Sequence, residues 1–172
     1  MNEDQIKELV SKFMCCGNFA GVFAADEVPK SQSQYPVGYV VNTDPRSKPG
    51  QHWVAYYHTS PKEHEFFDSY GNLPTTYGLV TFPNLKYNHL SLQSLDSSVC
   101  GQYCIFFLYK RSKHIPLTSI SNMLRKTTNP DQYVAHFAKT LKTTYNIPCN
   151  SCNKSNCQTC VPRNNVLCEC HQ

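Results

Sequence analysis

Residues 100–111, CGQYCIFFLYKR, place the heaviest demand on how this chain folds. The segment is apolar around its whole circumference except at its basic end. At twelve residues it is long for a strand and suits a helix. A helix that is apolar all round has to be enclosed by other structure. Lys110 and Arg111 then fall at the negative end of its dipole, where cations are favoured.

The rest of the chain contains material for that enclosure. Segments 37–42 (VGYVVN), 52–57 (HWVAYY) and 64–68 (HEFFD) are aromatic and β-branched and are joined by polar, Pro- or Gly-bearing stretches. They read as neighbouring strands, with residues 77–82 as a further strand. Ile6, Leu9, Val10 and Phe13 recur at helical spacing, so residues 3–14 form a helix capped by Asn2 or Asp4 and ended by Cys15-Cys16-Gly17. Two amphipathic helices follow near 117–126 and 130–144, the second with Tyr133, Phe137 and Leu141 on one stripe. The expected fold is α+β, with a central antiparallel-rich sheet, a buried helix and flanking helices, in one domain over residues 1–147. No stretch approaches the ~20 apolar residues of a membrane span. The polar, acidic N-terminus MNEDQIKELV does not read as a secretory signal, so an intracellular, non-secreted protein is expected.

Composition changes at Pro148. The stretch 148–172 carries six cysteines and almost no aliphatic residues, too few to build a core. In a reducing compartment, cysteines point to catalysis or metal before disulfides. Cys149, Cys152, Cys157 and Cys160 form two Cys-x2-Cys knuckles that can supply four thiolates to one structural zinc, with Cys168, Cys170 and His171 able to replace a pair. A disulfide knot and a flexible tether are the rival readings of this tail.

Charge is divided unevenly. Residues 1–96 hold 7 basic and 10 acidic side chains, and residues 97–172 hold 9 and 2. No acid lies between Asp96 and Asp131, where Lys110, Arg111, Lys113, Arg125 and Lys126 fall. A basic half of this kind suits a polyanion, and these five residues are the candidate contacts to DNA or RNA. A solvated helix surface is the plainer alternative.

Cys100 opens the buried helix, where the partial positive charge of the first turn favours thiolate over thiol. Taken alone, a buried cysteine is more often packing, and Cys104, one turn on, reads as core. His52 begins a strand after the turn-rich stretch DPRSKPGQ, in a position to face a cleft. His58, His64, His89, His114 and His136 have polar or loop surroundings and read as surface residues. Asp68 ends the next strand and could accept the Nδ1 hydrogen of His52, leaving Nε2 for Cys100. Gln93 could donate its amide to an oxyanion together with the Cys100 backbone N–H. These residues compose a nucleophile, a base, an orienting carboxylate and an oxyanion donor.

The ordered set Gly50-x-His52-Trp53-x-Ala55, Phe67-Asp68-x-x-Gly71 and Gln93-x6-Cys100-Gly101-x-x-Cys104 resembles the adenovirus-type cysteine endopeptidases (adenain) and the related proteases of Polinton-like elements and adintoviruses. Cys16-Gly17, Phe19, Gly21 and Val41-Asn42-Thr43 extend the resemblance over roughly residues 5–145. The SUMO-type proteases are more distant kin with the same residue order. The resemblance implies His52 as base, Asp68 as third triad member, Cys100 as nucleophile and Gln93 as oxyanion donor. It implies cleavage of viral or transposon structural precursors after small residues such as Gly, in the host nucleus or the virion, by a monomer that needs no cofactor for its chemistry. DNA stimulation and an activating peptide are traits of the same family. Adenovirus enzymes have Glu where this chain has Asp68. They also bind their peptide through a cysteine before the oxyanion Gln, and residues 73–92 here hold none. A deconjugase of ubiquitin-like modifiers, and a nucleic-acid-binding protein with an inactive protease core, are the competing functions.

Overall fold

The computed structural model describes residues 1–14 and 18–144. Helix α1 spans Glu3–Ser11, and Asn2 caps it in a reciprocal box with Gln5. Strands β1 (Phe19–Phe23), β2 (Val37–Asn42), β3 (Trp53–Ser60), β4 (Glu63–Phe67) and β5 (Lys86–Tyr87) form one sheet in sequence order. Helices α2 (Cys100–Ser112), α3 (Leu117–Lys126) and α4 (Pro130–Thr144) follow. The fold is therefore α+β, as the sequence predicts. The two central pairings, β2 with β3 and β3 with β4, are antiparallel. The edges add parallel pairings through β1 and β5, two strands that the sequence pattern did not disclose.

Strand alternation divides the core into two layers. Val40, Ala55, Tyr57 and Phe67 face the helices, where they meet Tyr103, Cys104, Phe106, Phe107 and Leu108 of α2. Tyr39, Val41, Val54, Tyr56 and Phe66 face the other way and are covered by Phe23, Val28, Val80, Phe82 and Leu85. That cover replaces the strand expected at 77–82. Pro74–Tyr77 is instead a short 3-10 turn closed by Gly78 in the left-handed region. The Val80 carbonyl accepts a hydrogen bond from the Tyr56 hydroxyl at 2.7 Å, so it serves a side chain and not a sheet ladder.

Two histidines expected at the surface are buried in this second layer. His58 is fully enclosed, and its Nδ1 lies 2.7 Å from Nδ1 of His64, its partner across β3 and β4. The other nitrogen of His58 is 3.0 Å from the Tyr39 hydroxyl. Burial, reinforced by His64, pushes the His58 pKa down to about 4, so the ring stays neutral where an ordinary histidine would ionise. His89, His114 and His136 are exposed, as expected.

Nine residues of α2 are buried. The helix approaches the sheet closely at Gly38, where a Cβ would stand 2.7 Å from Cδ2 of Leu108. Phe107 stacks on Phe67 at 4.9 Å with the rings nearly parallel. Phe107→Ala should cost about 4 kcal/mol, measurable as a lower urea midpoint with an unchanged slope.

Candidate active site

The register of the sheet brings the first two site residues together. Ala55 pairs with Phe67, so the start of β3 and the end of β4 lie side by side. His52 immediately precedes β3 and Asp68 immediately follows β4. His52 Nε2 lies 2.6 Å from Asp68 Oδ1. Helix α2 lies against β3, and its first residue, Cys100, hydrogen-bonds to the same imidazole. With Nε2 committed to Asp68, the nitrogen left for the thiol is Nδ1. This reverses the ring orientation expected from the sequence, which assigned Nδ1 to the carboxylate. Which face of a ring meets which partner depends on the side-chain torsion, and residue order says nothing about that.

Asp68 is fully buried, and every lone pair it carries is used. Oδ1 also accepts from the Tyr70 backbone N–H at 3.0 Å. Oδ2 accepts from the Asn72 N–H at 3.0 Å and from the Tyr77 hydroxyl at 2.9 Å. Asn72 in turn donates its side-chain amide to the Tyr77 oxygen. Asn88 clamps the backbone of Asp68 from both sides, accepting from its N–H and donating to its carbonyl. Gly71 completes the turn with φ +75, and a Cβ there would collide with the Leu90 backbone. Tyr77, Asn72 and Asn88 were not foreseen. Their only sequence signal is a cluster of polar residues around Asp-x-x-Gly, which any surface turn would share.

Burial raises the cost of a carboxylate, but His52 and these donors outweigh it and hold Asp68 below its ordinary value. His52 is 7% exposed, and its ring stacks on Tyr70 at 4.8 Å. Burial alone would lower its pKa, yet the bonds to Asp68 and Cys100 prevail and raise it to about 9. Cys100 is opposed by burial in the same way. His52 and the backbone N–H groups of Trp53 and Gly101 nevertheless bring its thiol below the ordinary value. Each group thus favours the charged form of the other, the imidazolium of His52 and the thiolate of Cys100. No side chain caps α2 at Val99, so its positive end is left for the thiolate. Cys104, by contrast, is 1% exposed and burial drives its thiol well up, which fits its reading as core.

Gln93 is buried beside them. Its Oε1 accepts from the Ser69 hydroxyl at 2.7 Å, and its Nε2 donates to the Ser97 carbonyl at 2.8 Å. Ser69 also receives the Leu92 and Gln93 N–H groups on its carbonyl. The amide is thus fixed at both ends with a second Nε2 hydrogen left to donate. Gln93, His52 and Cys100 all line one open cleft of about 770 Å³, together with Thr43, Asp44, Gly50, Gln51, Trp53, Tyr70 and Tyr77.

These are parts that a thiol acyl-transfer site would use, and two known proteins to which the chain is similar are proteases. The chain is 30% identical to the "Protease" of Bovine adenovirus 4, across 63% of each chain. Among solved structures the chain is similar to the ASFV pS273R protease, with a TM-score of 0.53, 18% identity, and coverage of 81% of this chain and 66% of that one. At that identity the likeness is one of fold. In both comparisons the chain spans under two thirds of its relative's length. No protein-family profile matches the chain.

Of the five basic residues assigned to nucleic acid, Arg111 is withdrawn. It is 8% exposed, its Nε lies 2.7 Å from Glu65, and its guanidinium covers the Tyr57 ring. A guanidinium held in this way cannot reach a phosphate. Arg125 and Lys126 are exposed at the end of α3, and Lys110 and Lys113 extend over the Tyr109 ring. Cys16-Gly17 and the tail knuckles Cys149, Cys152, Cys157 and Cys160 lie outside the described residues. Among the described residues no group of three or more metal-ligating side chains gathers.

The His52–Cys100 contact makes a prediction that needs no substrate. Alkylation of Cys100 by iodoacetamide should begin below the pH range of an ordinary thiol, because its pKa is depressed. His52→Ala removes the stabilising cation and should shift that profile to higher pH, measured by mass spectrometry of the modified peptide.

Proposed function

We propose that the chain is a cysteine endopeptidase that cleaves viral or transposon structural precursor proteins after small residues such as Gly. The observation that carries the reading is the buried His52, bonded on one side to a fully wired carboxylate and on the other to a thiol facing an open cleft. The Cys100 thiolate attacks the scissile carbonyl and forms an acyl-enzyme. The His52 imidazolium protonates the leaving amine, and the neutral ring then activates water for deacylation. Asp68 holds the ring and stabilises its charged form. The Gln93 amide and the α2 N-terminus supply the oxyanion donors.

The adenovirus relative supports the protease class, and the order of site residues supports the adenain type. Precursor cleavage in the host nucleus or virion belongs to the same proposal. So does stimulation by DNA through Lys110, Lys113, Arg125 and Lys126. Structural zinc at Cys149, Cys152, Cys157 and Cys160 also stays within it, to be tested by metal analysis of the reduced protein. A deconjugase would use the same four site residues, so ubiquitin-like conjugates belong in the assay.

Wild type is expected to cut Gly-Gly-type peptides, with or without added DNA, and Cys100→Ala to cut none. Equal cleavage by both would refute Cys100 as nucleophile. Gln93→Ala should lower kcat by roughly 10²–10³-fold while leaving iodoacetamide alkylation of Cys100 at the wild-type rate. That separation distinguishes an oxyanion donor from a residue that merely supports the fold.

A further inference from the structure

Among the described residues, the cleft contains one charged side chain outside the catalytic group, and that is Asp44. It also lines the adjoining cavity, where Met1, Gly50 and Trp53 are again shared walls. Asp44 therefore stands where the two hollows meet, and it shares the cleft with Trp53, Tyr70 and Tyr77.

Its position is fixed by the backbone. The Asp44 N–H donates to Asn42 Oδ1 at 2.9 Å, and its carbonyl accepts from the Ala25 N–H at 3.0 Å. The preceding residue, Thr43, donates its N–H to the His52 carbonyl at 2.9 Å, tying the loop to the catalytic base. Two residues on, Arg46 forks between Glu3 and Glu27, and its N–H donates to Asp26. The loop is thus pinned on both flanks of Asp44.

The carboxylate itself has no ion pair or hydrogen bond to another side chain among the described residues. Arg46, the nearest cation in sequence, is already paired with two acids. Lys48 lines the smaller cavity and not the cleft. A half-buried carboxylate on a pinned loop, without a side-chain partner among the described residues and in a cleft that Trp53, Tyr70 and Tyr77 also line, matches a long cationic side chain. The acid would take the charge, and the rings would take the stem and the cation–π contact.

We propose that Asp44 selects substrates carrying Lys or Arg in the residues flanking the scissile bond. The proposal rests on the endopeptidase reading and adds a charge preference that the four site residues do not imply.

The test uses three internally quenched peptides that share a Gly-Gly core and carry Lys, norleucine or Glu at the flanking positions on both sides. With wild type, kcat/KM should rank Lys above norleucine above Glu, with roughly a five-fold step at low salt. The step should shrink as salt is raised. Asp44→Asn should bring the three rates together, and Asp44→Lys should reverse their order. Iodoacetamide alkylation of Cys100, run on each variant, normalises for thiol reactivity. Three equal rates in wild type, or an unchanged ranking in Asp44→Asn, would overturn the charge preference and leave the protease reading standing. Failure of wild type to cut any of the three would instead remove the protease reading, and the preference with it.

Discussion

The enclosure of α2 is the constraint on which the rest of the molecule depends. Nine of its residues are buried, so it can exist only inside a structure that covers it. The sheet covers one side through Val40, Ala55, Tyr57 and Phe67, and α1, α3 and α4 cover the others. Because the helix is locked along its length, its first residue is locked too. Cys100 gains a fixed position relative to β3, and β3 begins one residue after His52. Hydrophobic burial several turns away therefore sets the geometry of Cys100 and His52.

A second constraint operates at Asp68. A carboxylate removed from water must have its lone pairs filled. Here His52, two backbone N–H groups and the Tyr77 hydroxyl fill them. This network is more elaborate than a structural turn needs. It holds a negative charge next to an imidazole that must itself become positive, and so raises His52 while the imidazolium lowers Cys100. The contrast with His58 is instructive. That ring is also buried in an aromatic layer, but it faces another histidine and a tyrosine, and its pKa falls to about 4. The same residue type in two buried places goes in opposite directions because one has a carboxylate and the other does not.

Legibility in the sequence followed the range of the interaction. Strands β2, β3 and β4 announce themselves as aromatic and β-branched runs, α1, α3 and α4 through helical spacing, and α2 as an apolar run too long for a strand. Strands β1 and β5 do not, since each exists only as an added edge on a sheet already formed. His52, Asp68, Gln93 and Cys100 were readable as an ordered set, although each alone had a plainer explanation. Tyr77, Asn72 and Asn88 were not, because an ordinary turn uses the same residue types. Arg111 was misread for a related reason: its charge was visible, but its neighbour Glu65, from β4, was not.

The sequence by itself determined that a buried helix starts at Cys100, that aromatic strands must enclose it, and that a base, an acid and an amide precede it in a fixed order. Those are properties of residue type and spacing, which survive without knowledge of contacts. Only the tertiary structure decided which nitrogen of His52 meets Asp68, which hydroxyl and amides satisfy that carboxylate, and which acid stands in the cleft without a side-chain partner among the described residues. These depend on side-chain torsions and on partners distant in the chain, and a folded surface is required to bring them within hydrogen-bonding reach.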